Sequence, residues 1–199
     1  MTRLIVWRHG LTEWNATSRF QGQTDVELTD VGREQAAAAA TKLAGYQPDV
    51  IVSSDLRRAA DTAAALAALT GVEVELDSRL RERFFGEWQS LLRDEIEVRW
   101  PAEFARWRAG EASLGCGIED MEDLRKRVAA GLREAAERAP DGTVVAVTHG
   151  AAAREGCTAL LGWPEPVGRT LGILGNCRWT ELRADPVRGW VLWAHNRFV

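Results

Sequence analysis

Short apolar runs and longer amphipathic segments take turns along this chain. The runs Leu4–Trp7, Asp49–Ser53, Glu73–Leu76 and Val144–Thr148 have strand length and are rich in valine and isoleucine, and two more lie near Arg178–Leu182 and Trp190–Ala194. Between them apolar residues recur at helical spacing among good helix formers. "TDVGREQAAAAATKLAGY" opens on a cap at Thr29 or Asp30, and "RRAADTAAALAALTG" stops on Gly71. "EDMEDLRKRVAAGLREAAERAPDG" begins acidic and ends with Arg138 ahead of Pro140, which suits the helix dipole. "AAAREGCTALLGWP" is closed by Gly162 and Pro164. Strands alternating with helices, several of them apolar throughout, predict an α/β fold with a mostly parallel sheet covered on both faces. The alanine run at 36–40 is read as close helix–sheet packing. There is no internal repeat and no linker, so residues 1–199 are expected to form one domain. The stretch from Trp88 to about Glu119 is less regular, interrupted by Pro101 and several glycines; its Trp100, Phe104 and Trp107 are read as a satellite core rather than a lid.

Composition changes this picture little. A hydrophobic content of 46% and a charged content of 27% fit a globular protein. A net charge of −4 gives no general attraction to nucleic acid or to an anionic membrane, so neither is expected as a partner. No apolar run approaches the roughly 20 residues that cross a bilayer. The chain opens "MTRLIVW" with no signal-peptide pattern, and Cys116, Cys157 and Cys177 show no pairing or metal-ligand spacing. Reduced thiols and a cytoplasmic location are expected. Twenty-three arginines stand against two lysines, Lys42 and Lys126. Most lie on helix-like polar faces, but a guanidinium fork also grips phosphate.

The chemistry concentrates at strand ends. "LIVWRHGLTEWN" (4–15) and "VVAVTHG" (144–150) each end an apolar strand on a histidine followed by glycine, and these are two of only three histidines. "IVSSDLRRA" places Arg57 and Arg58 just after a third strand, at a helix start. Ligands of open parallel sheets bind at the carboxyl ends of the strands, so His9, His149 and several guanidinium groups converge on one edge. A metal fits poorly: no HxxxH or HxH spacing occurs, and neighbouring arginines repel a cation. An anion fits well, because guanidinium forks and a helix N-terminus favour phosphate. A neutral imidazole could attack phosphorus, and nearby arginines keep it neutral. Either histidine alone reads as a structural residue; the pair together with strand-end arginines reverses that reading.

These residues resemble the histidine phosphatase superfamily, the phosphoglycerate-mutase-like proteins. "WRHGLTEWN", "FQGQTDVELTDVGREQA", "SSDLRRAADTA", "LRERFFGEW" and "VTHG" stand in the family's order. The resemblance implies a three-layer α/β/α sandwich on a mostly parallel six-stranded sheet, a phosphohistidine intermediate, and neither metal nor other cofactor. It makes His9 the nucleophile, and Arg8, Arg58 and His149 the holders of the phosphoryl oxygens. Glu82 becomes the acid/base that protonates the leaving oxygen and then activates water. Asn15 and Gln21 match polar positions near the phosphate, with Gly22 and Gly150 beside them in the substrate-binding set. Family spacing selects Arg58 over Arg57, which is read as a surface residue, as are Glu87 and His195. Leu11 and "GEWQS" depart from the family pattern at positions that do not react. Relatives acting as mutases carry a longer insertion after the glutamate; its absence favours a phosphatase of a small phosphomonoester, a phosphosugar or phosphoglycerate type. The alternatives are a phosphoglycerate mutase and a catalytically silent phosphate-binding regulator; the intact set of reactive residues counts against the latter. "IVSSDLRRAADTA", "QGQTDVELT" and "GNCRWTEL" are similar to actinobacterial phosphatases of glucosyl-3-phosphoglycerate, with specificity expected from a cap at about 88–119. A homodimer is expected only because relatives often form one.

Overall fold

A computed structural model describes residues 1–199. Its strands are β1 (Arg3–Arg8), β2 (Val50–Ser53), β3 (Val74–Leu76), β4 (Thr143–Thr148), β5 (Trp179–Asp185) and β6 (Gly189–Arg197). Its helices are α1 (Glu13–Ala16), α2 (Asp30–Ala44), α3 (Arg57–Thr70), α4 (Arg93–Arg99), α5 (Pro101–Ala109), α6 (Met121–Glu137), α7 (Gly150–Leu160) and α8 (Glu165–Gly168), with 3-10 turns at Ser78–Leu80 and Gly86–Trp88. The six strands form one sheet in the order β3-β2-β4-β1-β5-β6. The β3–β2, β2–β4 and β4–β1 pairs are parallel, while β5 and β6 add an antiparallel hairpin on the far side of β1.

Period-two alternation divides the core between the two faces. Leu4, Val6, Val52, Val144 and Ala146 point to one side, where α6 and α7 cover them with Leu124, Val128, Leu132, Ala153 and Cys157. Ile5, Trp7, Ile51, Val145 and Val147 point to the other, against α2 and α3. This second layer is alanine-rich: Ala36, Ala39 and Ala40 from α2 and Ala59 and Ala63 from α3 are all buried. Small side chains let both helices lie close to the sheet, as the alanine run predicts. Thr29 caps α2, accepting from the amide of Gly32 at 3.0 Å, and Gly71 ends α3 with φ of 75°. No helix is long and apolar enough to cross a membrane.

The segment after Trp88 is more regular than its sequence pattern. Pro101 starts α5 instead of breaking a helix, since a proline at the first helical position loses no intrahelical bond. Phe20, Trp88, Ile96, Phe104, Leu114 and Ile118 form a third buried cluster, with Trp100 and Trp107 packed against it. That is the satellite core read from the aromatic spacing. The glycine that follows His9 also has a packing reason. A side chain on Gly10 would collide with the carbonyl of Gly32, and one on Gly32 with that of Leu11. The loop leaving β1 therefore rests directly on the first turn of α2.

Candidate active site

In-register parallel pairing of β1 with β4 puts Arg8 beside Thr148, so the chain leaves both strands at the same height. The His9 amide donates to the Thr148 carbonyl at 3.0 Å, and the rings of His9 and His149 lie 5.1 Å apart between centroids, tilted by 58°. On the other side of β4, Ser53 pairs with Val147. That brings Ser54 and the start of α3, with Arg58, to the same edge. The expected convergence of His9, His149, Arg8 and Arg58 is therefore present.

His9 is 3% exposed, and its Nδ1 lies 2.7 Å from the carbonyl of Gly10. A carbonyl only accepts, so Nδ1 carries the proton of the neutral ring and Nε2 keeps its lone pair. Burial, then the charges of Arg58 and Arg8, hold the imidazole well below its ordinary range, against a smaller upward pull from the Gly10 bond. Arg58 is 1% exposed. Its Nε donates to His149 Nδ1 at 3.2 Å, and its Nη1 and Nη2 donate to the carbonyls of Thr24 and Gly22 at 2.8 and 2.7 Å. Two guanidinium N–H groups remain uncommitted. Burial lowers this guanidinium to about 10, still charged at neutral pH. Arg8 donates from Nη1 to the Leu174 carbonyl, while its buried Nε has no partner. His149, expected to hold a phosphoryl oxygen, is instead closed in behind this layer with no exposed surface. Its Nδ1 accepts from Arg58, so Nε2 donates to Ser54 Oγ at 2.8 Å. Burial is again the largest cause holding this ring neutral, with Arg58 next.

Glu82 reaches the site from the turn after β3, on the N-terminus of α7. Its Oε1 accepts from the amides of Arg83 and Ala152 at 2.8 and 3.0 Å, and Oε2 from that of Ala151 at 3.1 Å. Its own carbonyl is held by Gln23 Nε2 and Arg127 Nη2. A cleft of about 500 Å3 collects Arg8, His9, Asn15, Gln21, Gly22, Arg58 and Glu82. His149 and Gly150 lie behind its wall; at Gly150 an added Cβ would meet Ile173 at 3.1 Å and Arg8 Cζ at 3.6 Å. Gln21 Oε1 is buried without a partner. Gly22 has φ of 52°, and its missing side chain leaves room for Gln89, whose Oε1 accepts from the Gln23 amide at 2.7 Å. The glutamine of "GEWQS" thus braces the loop that presents Gln21 and Gly22. Arg57 pairs with Glu27 at the surface, Glu87 is exposed, and His195 bonds Thr180 and Gly172 away from the cleft.

Reading the sequence missed Ser54, Thr62 and Asn176. Thr62 Oγ1 accepts from the Gly10 amide at 3.1 Å. Asn176 lines the cleft, and its Nδ2 lies 3.1 Å from each of His9 O, Gly10 O and Asn15 Oδ1. The stretch "GNCRWTEL" that contains it carries the resemblance to glucosyl-3-phosphoglycerate phosphatases, which is the signal that pointed there.

Two buried, neutral imidazoles make folding sensitive to pH. The unfolded chain takes up protons on histidine near pH 6.5 while the native chain does not, so ν_U exceeds ν_N and stability rises with pH. Unfolding free energy from denaturant titrations is expected to be level only between about pH 7 and 8, above which the buried Cys157 and Cys177 thiols turn the curve down. It should fall below pH 6.5 by roughly 1 kcal/mol per pH unit for each of His9 and His149. The slope should drop by one proton's worth in His9→Asn. A wild-type stability that holds or rises between pH 7.5 and 5.5 would mean that these rings are charged in the fold.

Comparison with known proteins agrees with this arrangement. A family model described as the histidine phosphatase superfamily (branch 1) matches residues 4–197. A glucosyl-3-phosphoglycerate phosphatase of Mycolicibacterium vanbaalenii is 42% identical over 194 residues, covering 92% of this chain and 86% of that protein. Phosphoserine phosphatase 1 of Hydrogenobacter thermophilus is 35% identical over 163 residues, covering 81% and 77%. The solved structure of a mycobacterial glucosyl-3-phosphoglycerate phosphatase in complex with VO3 superposes with a TM-score of 0.90 at 41% identity, covering 98% of both chains. The chain belongs to the histidine phosphatase superfamily, branch 1.

Proposed function

We propose that this chain is a phosphatase of small phosphomonoesters of the phosphoglycerate type, working through a phosphohistidine on His9. The observation that carries the reading is the His9 ring: neutral, with Nδ1–H tied to the Gly10 carbonyl and Nε2 free, beside Arg8 and Arg58 at the cleft. In the first half-reaction the Nε2 lone pair forms a bond to phosphorus as the ester P–O bond breaks. The guanidinium groups of Arg8 and Arg58 stabilise the charge on the phosphoryl oxygens. The leaving oxygen takes its proton through Glu82 as that bond breaks. Oε1 already accepts two amides and Oε2 only one, which makes Oε2 the proton-handling atom. In the second half-reaction a water attacks phosphorus, Glu82 takes its proton, and the N–P bond breaks to return the imidazole. Asn15 and Gln21 offer polar groups to the substrate. His149 acts by holding Arg58.

A second cavity, about 510 Å3, adjoins the cleft through the shared residues Phe85, Trp107 and Ile173. Three of its carboxylates are already matched, Glu111 to Arg106, Glu155 to Arg154, and Glu165 to Arg169. Arg83 is 1% exposed and bonds only carbonyls, those of Glu119 and Ala112. A buried guanidinium facing a cavity without a carboxylate partner suits a substrate with a second anionic group. We therefore read the chain as one catalytic domain whose region at about 88–119, through Trp107 and Arg108, sets specificity. Free cysteines at 116, 157 and 177 fit a reducing, cytoplasmic setting.

Glucosyl-3-phosphoglycerate, 3-phosphoglycerate, phosphoserine, glucose 6-phosphate and p-nitrophenyl phosphate, each with a chelator present, test this reading. The carboxylate-bearing esters are expected to exceed glucose 6-phosphate in kcat/KM by about tenfold or more, the scale of one charge-assisted hydrogen bond. The product should be free phosphate. An isomerised phosphoglycerate as the main product, or a preference for glucose 6-phosphate, which lacks a carboxylate, would defeat it.

A further inference from the structure

The β1–β5 ladder ends at Trp7, paired with Trp179, one residue before the reactive segment Arg8–Gly10. From there the turn 174–178 takes over as a clamp. The carbonyl of Arg178 accepts from the Arg8 amide at 3.0 Å, and the Cys177 amide donates to the His9 carbonyl at 3.2 Å. Leu174 O accepts from Arg8 Nη1. Cys177 has φ of 54°, a left-handed conformation that non-glycine residues rarely adopt and that here sits beside the site. It turns the Cys177 amide and the Asn176 side chain toward the same stretch of backbone.

We propose that Asn176 is a positioning residue that sets both the His9 ring and the Asn15 amide; the catalytic consequence rests on His9 being the nucleophile. Gly10 O accepts from His9 Nδ1 at 2.7 Å and from Asn176 Nδ2 at 3.1 Å, so both lone pairs of that carbonyl are used. The second bond fixes the direction in which the carbonyl faces the ring, and with it which ring nitrogen carries the proton. Asn15 Oδ1 accepts from the Thr12 amide at 3.2 Å, from Thr12 Oγ1 at 3.0 Å and from Asn176 Nδ2 at 3.1 Å. That orientation leaves the Asn15 Nδ2 group without a partner in the chain, free for the cleft that Asn15 lines. The two hydrogens of Asn176 Nδ2 are shared among three acceptors. None is left for substrate, which makes the residue a support and not a reacting group. A flipped amide would set Oδ1 against two backbone carbonyls, so the orientation is determined.

Asn176→Asp keeps the shape and replaces the donor with an oxygen facing three acceptors, while Asn176→Ala removes the whole amide and puts no oxygen in its place. With p-nitrophenyl phosphate, kcat per folded molecule is expected to fall about 10- to 100-fold in the alanine variant and further in the aspartate variant, with KM changed by only a few-fold. Nitrogen NMR of the His9 ring should show one Nδ1–H tautomer in the wild type and a mixture in both variants, a signature that a packing role would not move. Normalising to folded protein by near-ultraviolet circular dichroism separates misfolding from mispositioning. Wild-type kcat per folded molecule in Asn176→Asp, or an unchanged His9 tautomer, overturns the proposal. His9→Ala run in parallel tests the nucleophile separately: turnover that survives there counts against His9, while the tautomer still reports on Asn176.

Discussion

His9→Ala is expected to lower kcat for p-nitrophenyl phosphate by on the order of 10^4 or more, the scale reached when a covalent nucleophile is deleted from a preorganised site. Inorganic phosphate should still bind within about tenfold of the wild type, because the guanidinium groups of Arg8 and Arg58 remain to hold it. The cause is the way the ring is held. Burial and two flanking positive charges keep the imidazole neutral, and the Gly10 carbonyl takes the one ring proton. Nε2 is therefore a free nucleophile across the ordinary pH range without any base to activate it. The fold should tolerate the change: Gly10 O keeps its bond from Asn176, and no charge loses a partner. Brief mixing with a labelled phosphate ester followed by denaturation should trap label on the wild type, stable in alkali and lost in acid as expected of a phosphorus–nitrogen bond, and none on the variant. Label trapped equally on both, or a variant that turns over at the wild-type rate, would move the nucleophile elsewhere.

How much of this was open to sequence reading depends on which kind of interaction places each residue. His9 and His149 were legible because two apolar runs end on them, and a parallel sheet sends its strand ends to one edge. Arg58 was separable from Arg57 because adjacent positions on a helix face different ways: Arg58 points into the site, and Arg57 meets Glu27 at the surface. Glu82 was found by resemblance, yet nothing local announced that it would sit on the first amides of α7, a contact spanning 70 residues. The closed position of His149 was beyond reach for a similar reason. It depends on Ser54 and Arg58, brought in by the neighbouring strand. Asn176 was hidden because two of its three partners are backbone carbonyls, which carry no residue identity, and because a left-handed Cys177 aims it. The helices α4 and α5 were obscured by Pro101, which reads equally as a break or as a start until the preceding turn is known.

Glu82→Gln separates two things this carboxylate does, and the outcome should depend on the ester used. The substitution is isosteric, but one oxygen that accepts an N–H becomes a donor facing one. With two amides on Oε1 and a single amide on Oε2, the new NH2 is expected to settle opposite Ala151, loosening the start of α7 and removing a negative charge from a helix N-terminus. That should lower stability by about 1 kcal/mol. Activity should respond far more. An alkyl phosphate such as 3-phosphoglycerate leaves as a poor alkoxide and needs its proton, so kcat/KM is expected to fall roughly 10^2- to 10^4-fold. Nitrophenolate leaves without help, so phosphorylation of His9 by p-nitrophenyl phosphate should be nearly unaffected. Water must still be deprotonated to cleave the phosphohistidine, and the amide cannot do it. The variant should therefore release nitrophenolate in a burst equal to the enzyme present and then slow down, with label resting on His9. The equal-loss outcome has a different meaning. If both esters lost the same factor and no burst appeared, Glu82 would be an anchor for α7 and the proton would have to travel by another group.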